Sequence, residues 1–116
     1  MGGNDGGMST LEYHLLLSLA GAPLYGYAIR DAVEQESTGT LTPRAGSLYR
    51  VIARLITSGL VSEARPDDDA PPHPGLARRY YRLTASGRRA LAAEARRLKA
   101  AATLAEKRLD VARGRS

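Results

Sequence analysis

The side chains best suited to chemistry in this sequence lie on one face of a helix predicted between residues 42 and 59. At helical spacing this face carries Gly46, Ser47, Arg50, Arg54 and Thr57, with Tyr49 at its flank. Residues 42–61 contain no acidic side chain. Small residues permit a close approach of the backbone, and arginines can contact phosphate groups or form bidentate hydrogen bonds with guanine. The face therefore predicts contact with a polyanion, most commonly nucleic acid.

The distribution of charge along the chain supports this interpretation. Residues 1–36 contain one arginine and five acidic residues, for a net charge of −4, whereas residues 37–116 contain sixteen Lys or Arg and seven acidic residues, for a net charge of +9. Such a basic region favours a polyanionic partner. Ordinary solubility charge is the alternative, and composition alone does not exclude it.

The composition predicts a small, mainly helical protein. A length of 116 residues is typical of one domain, and without Phe or Trp the core must consist mostly of Leu, Ile, Val and Ala. The absence of cysteine excludes disulfides and thiolate metal sites. Nothing near the N-terminus resembles a signal peptide or a membrane span, so we expect a cytoplasmic protein. Residues 1–8, which are rich in glycine, and residues 114–116 are predicted to be disordered.

Two helices are predicted in the first third of the chain. Ser9 as N-cap and Glu12 three residues later form a capping box, and we expect the first helix to end near Gly21 and Pro23. The second helix is predicted over residues 25–36. The leucines of the first helix fall on more than one side, which indicates contacts with both the core and a second subunit; they are Leu11, Leu15, Leu16, Leu17 and Leu19.

The helix with the basic face has identifiable boundaries. Thr42 is predicted to be its N-cap and Pro43 its first residue, where a missing N–H costs nothing. Gly59 is predicted to end it in a left-handed conformation, with Leu60 folding back onto Leu55 in a Schellman motif. Its core-facing stripe has the spacing i, i+3, i+4, i+7, i+8 and consists of Leu48, Val51, Ile52, Leu55 and Ile56.

A hairpin is predicted after this helix. Two strand-like runs at residues 60–65 and 77–84 are joined by a segment rich in Pro, Asp and Gly, which indicates a hairpin with a long tip. In the second run Tyr81 alternates with Tyr80, so only one of the two tyrosines is expected to lie in the core.

The last helix, predicted over residues 85–113 with Thr84 as its N-cap, carries an uninterrupted heptad seam. The seam ends at Ala112 and is rich in alanine, so it permits close packing of a second helix but cannot fill a thick core alone. We expect a homodimer in which this helix packs on the first and last helices of the partner. A helix that lies along its own domain is the alternative. The predicted interface residues are Leu11, Leu15, Leu91, Ala95, Leu98, Ala102, Ala105 and Leu109.

Three helices followed by a hairpin are the element order of a winged helix-turn-helix, here over residues 9–84. The predicted fold class is mainly α with a small β-hairpin, extended by a long C-terminal dimerisation helix. In such a fold the second of the paired helices enters the major groove, and the wing contacts the backbone or the minor groove. The predicted DNA-binding residues are Tyr27, Arg44, Gly46, Ser47, Tyr49, Arg50, Arg54, Arg78 and Arg79.

Three stretches of the chain resemble the motif blocks of the PadR family of bacterial transcriptional regulators. They are "GAPLYGYAI" at residues 21–29, "GSLYRVIARLITSGLV" at 46–61 and "RRYYRLTASGRRAL" at 78–91. The resemblance implies a winged helix with one C-terminal dimerisation helix, repression from a palindromic operator, and release by a small molecule. The family's Gly-Thr-Leu-Tyr pattern falls on Gly46, Ser47, Leu48 and Tyr49, and its Arg-Tyr-Tyr pattern falls on Arg79, Tyr80 and Tyr81.

The sequence departs from the family at two points. Ala45 stands where a proline usually precedes the glycine. The chain has no Trp, so it lacks the tryptophans between which the multidrug-binding members stack flat drugs. A small apolar or phenolic effector suits the available lining better, and its predicted contacts are Tyr13, His14 and Leu98.

Other functions have weaker support. Arg50 and Arg54 could form a solvated face, but no acid lies four residues away to pair with either. Asp67–Asp69 suit a solvated loop better than a metal site, and His14 and His73 form no evident pair. No nucleophile with a base and no phosphate-binding glycine loop is present, so we expect neither an enzyme nor a cofactor. A winged helix that binds another protein remains the alternative to a DNA-binding regulator.

Overall fold

The computed structural model describes residues 8–64 and 79–114, with side chains described through residue 110. Within these ranges four helices and three strands follow one another in the order expected of a winged helix-turn-helix. They are α1 (Thr10–Ser18), β1 (Leu24–Tyr25), α2 (Gly26–Glu36), α3 (Ala45–Thr57), β2 (Val61–Ala64), β3 (Tyr80–Leu83) and α4 (Ala85–Gly114). The predicted mainly α fold with a small hairpin and a long last helix is confirmed.

The capping box predicted at the start of α1 is confirmed. The Glu12 backbone N–H donates to Ser9 Oγ at 3.1 Å, and the Ser9 N–H donates to Glu12 Oε1 at 2.7 Å. The helix ends earlier than predicted, at Ser18, because Ser18 Oγ donates to the Leu15 carbonyl at 2.6 Å and the Leu19 N–H donates to the Leu16 carbonyl. These short-range bonds tighten the last turn before Gly21 is reached. Residues 1–7 of the predicted leader lie outside the described residues, whereas Met8 packs against the core.

The predicted start of α3 at Thr42 is wrong. The helix begins at Ala45, and Arg44 occupies the N-cap position in an extended conformation, with no capping hydrogen bond from its side chain. The chain is tied to the end of α2 by the Leu41 N–H, which donates to Ser37 Oγ at 3.0 Å, and by the packing of Leu41 against the core. Pro43 therefore lies in the connection between the helices and not in the first turn of α3.

The predicted end of α3 and its buried stripe are confirmed. Gly59 has a φ of 81°, the Leu60 N–H donates to the Leu55 carbonyl at 2.9 Å, and the Gly59 N–H donates to the Ile56 carbonyl at 3.0 Å. These two bonds are those of a Schellman motif. The stripe packs into the core, with Leu48, Val51, Ile52 and Leu55 buried and Ile56 partly buried.

The sheet contains one strand more than the sequence predicted. The strand order is β1–β3–β2, all neighbours are antiparallel, and Leu24 of β1 pairs with Tyr81 of β3. A strand of two residues is too short to show periodicity, so no sequence pattern marks β1. Tyr81 is the buried tyrosine, whereas Tyr80 packs edge-to-face on Tyr25 with a centroid distance of 5.8 Å.

The start of α4 is fixed to the turn that ends α3. Thr84 Oγ1 accepts from the Gly87 N–H at 2.9 Å, as predicted for an N-cap, and donates to the Gly59 carbonyl at 2.6 Å. A Cβ atom at residue 87 would overlap the Leu60 carbonyl, so glycine is required for this close approach. These contacts anchor the first turns of α4 to the other helices and the sheet. We call residues 8–64 and 79–95, which include those first turns, the head.

Beyond the head, α4 extends away from the other described residues. Residues 96–110 are all exposed, and the molecule is 63 Å long but only 30 by 25 Å across. The apolar side chains that this segment leaves exposed include Leu98, Leu104 and Leu109. Among the described residues, no helix has the length and apolar content that a membrane crossing requires.

Candidate nucleic-acid interface

The N-terminal turn of α3 is open to solvent. Gly46 is exposed, and apart from its chain neighbours and the backbone of its own helix no described atom lies within 4 Å of the position that its Cβ would take. Because Arg44 does not cap the helix with its side chain, the first backbone N–H groups of α3 lack a side-chain acceptor there. Ser47 is half-buried beside them. Free N–H groups at a helix N-terminus are suited to an anion such as a DNA phosphate.

Tyr49 joins α3 to the start of α2. Its phenol lies against Gly26, where an added Cβ would overlap the Tyr49 hydroxyl. Gly26 is buried, whereas Tyr49 keeps 44% of its surface exposed. The phenol therefore packs on the start of α2 while part of the ring lies in solvent. Sequence reasoning identified Tyr49 but missed the role of Gly26, for which the glycine inside the "YGY" sequence was the available signal.

Arg50 is a cation of this face without a partner in the part of the chain that the structure describes. It is exposed, and within the described residues it forms neither a hydrogen bond nor an ion pair. Arg44, one residue before α3, is exposed as well. Tyr27, near the start of α2, is 61% exposed. These three predicted DNA-binding residues are thus accessible to a ligand.

Arg54 has an acidic partner, contrary to the expectation from the sequence. Its Nε donates to Glu12 Oε2 at 3.3 Å, so the carboxylate comes from α1 and not from α3 itself. No acid lies one helical turn from Arg54 on α3, whereas Glu12 lies 42 residues earlier in the chain. Only the packing of α1 beside α3 brings the two groups together.

The wing, which is the hairpin that contains β2 and β3, also carries an ion pair. Arg79 Nη1 lies 3.6 Å from Glu63 Oε2, and both side chains are more than half exposed. Arg78, the Asp67–Asp69 run and His73 lie outside the described residues. Arg82 was not among the predicted contacts; it is exposed, and its Nε donates to Ser62 Oγ at 3.3 Å.

A groove of about 400 Å³ separates α3 from the wing, with Ile52, Ile56 and Tyr81 among its lining and Glu63 and Arg79 at its edge. Burial raises the pKa of the Tyr81 phenol, and the neighbouring Tyr49 and Glu63 raise it further. The phenol is therefore neutral at ordinary pH. The groove places an apolar floor and a charged rim directly beside the exposed face of α3.

The predicted dimer residues divide into two groups. Leu15 is fully buried in its own protomer, so it has no surface for a partner and belongs to the core. Leu11 and Leu91 are partly buried against the same core, and Ala95 is half-buried. The remaining seam residues Leu98, Ala102, Ala105 and Leu109 are exposed.

A buried carboxylate marks the position where α4 leaves the head. Glu94 is only 7% exposed and accepts two hydrogen bonds from Arg97 one turn later, through Arg97 Nε at 3.0 Å and Nη2. This hydrogen bonding holds the pKa of Glu94 below its usual range. Both partners are therefore charged at neutral pH.

The predicted effector contacts are only partly brought together. The rings of Tyr13 and His14 pack edge-to-face with a centroid distance of 5.7 Å, and His14 Nδ1 is buried with no hydrogen-bond partner among the described residues. Burial raises the pKa of the nearby Glu36 carboxyl, and His14 partly offsets that effect. Leu98 lies on the exposed part of α4, two turns beyond Leu91. Among the described residues no group of three His, Asp or Glu side chains is arranged to hold a metal ion.

Comparison with known proteins identifies the relatives of this chain. The profile of the "Transcriptional regulator PadR-like family" matches residues 15–93. An "Uncharacterized 37.1 kDa protein in transposon TN4556" of Streptomyces fradiae is 42% identical over 81 residues, and this match covers 70% of the present chain but 21% of that protein. The chain therefore spans well under half the length of that relative.

Solved structures share the fold. A PadR family transcription regulator from Clostridium difficile R20291 matches with a TM-score of 0.69 and 19% identity, over 87% of this chain and 99% of that one. Bacillus subtilis PadR in complex with operator DNA matches with a TM-score of 0.58 and 23% identity, over 72% of this chain and 45% of that one. Because the family profile matches more than half of the sequence, the chain belongs to the PadR-like family of transcriptional regulators.

Proposed function

We propose that this regulator binds a palindromic DNA operator as a homodimer and represses transcription. The observation that carries the proposal is the exposed face of α3, on which Gly46 is open, Arg50 has no partner among the described residues and the first N–H groups have no side-chain cap. A face of this kind fits the major groove, where arginine forms bidentate bonds with guanine. Bacillus subtilis PadR, which has a similar fold, was solved in complex with operator DNA, and this supports DNA as the partner.

The homodimer is supported by the uncovered end of α4. Leu98 and Leu109 lie on the heptad seam and are 38% and 66% exposed in the single chain. A second α4 packed along this seam removes both side chains from water and places two α3 helices on one molecule. Recognition helices of a dimer must lie about 34 Å apart, or a multiple of that distance, to enter successive major grooves. The packing of α4 therefore sets the spacing of the operator half-sites.

DNA binding can be tested with sites selected from a random pool of duplexes by the wild-type protein. We expect enrichment of a two-fold symmetric sequence that the protein binds more tightly than a scrambled duplex, with an affinity that falls as salt rises. Absence of any enriched sequence, together with capture of a protein partner through the α3 face, would favour the alternative of a protein-binding winged helix.

Release by a small molecule is the third element of the proposal. His14 Nδ1, buried without a partner beside the Tyr13 ring, offers a hydrogen-bonding group to a phenol in an apolar environment. A ligand can change DNA affinity only to the extent that it prefers one dimer geometry. Simple phenols should therefore release DNA from the wild type, and His14→Phe should reduce that response without changing DNA affinity in the absence of phenol. If no compound changes DNA affinity, the protein is controlled by its own concentration.

A further inference from the structure

The carboxylate of Glu12 has two hydrogen-bond partners, one at the start of α1 and one on α3. Its Oε1 accepts the Ser9 N–H at 2.7 Å in the capping box of α1, and its Oε2 accepts Arg54 Nε at 3.3 Å. The Glu12 side chain is 18% exposed and that of Arg54 is 60% exposed. The carboxylate is therefore fixed at the N-terminal end of α1, while the outer part of the Arg54 guanidinium lies in solvent.

We propose that Glu12 is a positioning residue for Arg54, holding its Nε so that its terminal nitrogens face DNA. This inference rests on the proposed function. A guanidinium has five N–H donors in a rigid fork, and the contact with Glu12 uses only the one on Nε. Within the described residues neither Nη1 nor Nη2 of Arg54 forms a hydrogen bond. Both terminal nitrogens therefore remain available for a bidentate contact with a base or a phosphate.

Holding Arg54 in advance reduces the cost of ordering its side chain when DNA binds. A free arginine loses rotamer freedom on binding, and preorganisation removes part of that loss from the binding step. The benefit appears only where the fixed guanidinium matches its partner, which is at the operator. On other DNA the negative charge of Glu12 weakens attraction to phosphates. Glu12 should therefore raise the preference for the operator and lower affinity for unrelated DNA.

Arg79 and Arg50, two other described arginines of the interface, lack this arrangement. Glu63, the partner of Arg79, is 57% exposed, and their ion pair is longer at 3.6 Å. Exposed ion pairs of this kind contribute little free energy, so Glu63 does little to fix the side chain of Arg79. Arg50 has no acidic partner among the described residues. Glu12 differs from Glu63 because its other carboxylate oxygen accepts the backbone N–H of Ser9, the N-cap of α1.

The test measures the ratio of affinities for the selected site and a scrambled duplex of the same length. Glu12→Gln is the informative change, because glutamine can keep the capping-box contact with Ser9 while removing the charge from Arg54. With Arg54 present, we expect Glu12→Gln to lower the ratio by about threefold to tenfold. In the Arg54→Ala background, the same change should alter the ratio by less than about twofold. An Arg54→Lys background should behave like Arg54→Ala, since lysine has a charge but no Nε.

Ser9→Ala is the matched control, because it breaks the capping box from the other side and leaves the carboxylate contact with Arg54. It should lower the melting temperature without changing the affinity ratio. An equal fall of the ratio on Glu12→Gln with and without Arg54, a rise of the ratio, or no effect of Arg54→Ala would overturn the inference. If the wild type itself does not prefer the selected site to the scrambled duplex, the proposed function is overturned instead. The two failures are therefore distinguishable.

Discussion

The head and the distal part of α4 differ in how their apolar side chains are covered. In the head, twelve hydrophobic residues form one buried core, and Leu15, Leu16, Ile29 and Val33 are completely inaccessible. On α4 beyond residue 95, every side chain with a described exposure is exposed. The head therefore buries its hydrophobic side chains within itself, whereas the seam on the distal part of α4 is exposed among the described residues.

This difference assigns separate tasks to the two regions. A head with a complete core can hold the α3 face rigid without help from another chain. The alanine-rich seam buries little apolar surface within a single chain. Packing against a second helix explains its regular heptad spacing. Stability should therefore depend on the head, and assembly should depend on the distal helix.

The largest effect is expected from a cavity in the head. Leu16→Ala removes a side chain with 0% exposure and should lower the free energy of unfolding by about 2 to 5 kcal/mol. Leu104→Ala, at a position that is 46% exposed and off the seam, should change it by less than about 0.5 kcal/mol. Urea denaturation at one protein concentration measures both. Similar losses for the two variants would show that the regions do not differ in stability.

The next effect concerns assembly. Leu98→Glu places a charge on the seam and should convert dimers into monomers, with the head still folded. Because both half-sites must then be bound separately, operator affinity should fall by about 100-fold or more. Leu104→Glu is the control, because Leu104 is similarly exposed but points away from the seam. Sedimentation should show dimers for the control, and monomeric wild-type protein at micromolar concentration would contradict the division of tasks.

A smaller effect is expected at the DNA face of the head. Arg50→Ala should weaken binding to the selected site by about 1 to 3 kcal/mol if Arg50 contacts a base, and the loss should be smaller on scrambled DNA. Arg96→Ala removes the same charge from the exposed side of α4 and serves as the control. Titration of labelled duplexes measures both variants. Equal losses would indicate that only total charge matters.

The smallest effect is expected at the wing. Arg79 is 72% exposed and pairs with Glu63, so Arg79→Ala should cost less than about 1 kcal/mol on either duplex and reduce the salt slope by about one. Glu63→Gln removes the opposing charge and should strengthen binding to both duplexes slightly. A loss confined to the selected site would place Arg79 at a base instead of the backbone.

The parts of the fold that were predicted from sequence depend on neighbouring residues. The capping box of Ser9 and Glu12 and the Schellman motif at Gly59 each involve side chains or backbone within one or two turns. Local patterns of this kind are visible in the sequence because few conformations satisfy them. The order of the resulting elements was then sufficient to predict the winged helix.

The features that were missed depend on contacts between distant segments. Strand β1 exists because Leu24 and Tyr25 pair with β3, and α3 begins late because Leu41 is anchored to α2. The same holds within the site, where Glu12 reaches Arg54 and Gly26 accommodates Tyr49. No spacing rule along one helix reveals a partner that is supplied by another helix.

A footprint of the wild-type protein on its selected DNA site tests the division between head and distal helix most directly. Two chains joined through α4 should protect two half-sites whose centres lie about one helical turn of DNA apart, or a multiple of that distance, with two chains bound per duplex. Leu98→Glu should abolish the paired protection. A single protected segment with one chain per duplex, or paired protection that survives Leu98→Glu, would contradict the assignment of DNA contact to the head and of pairing to α4.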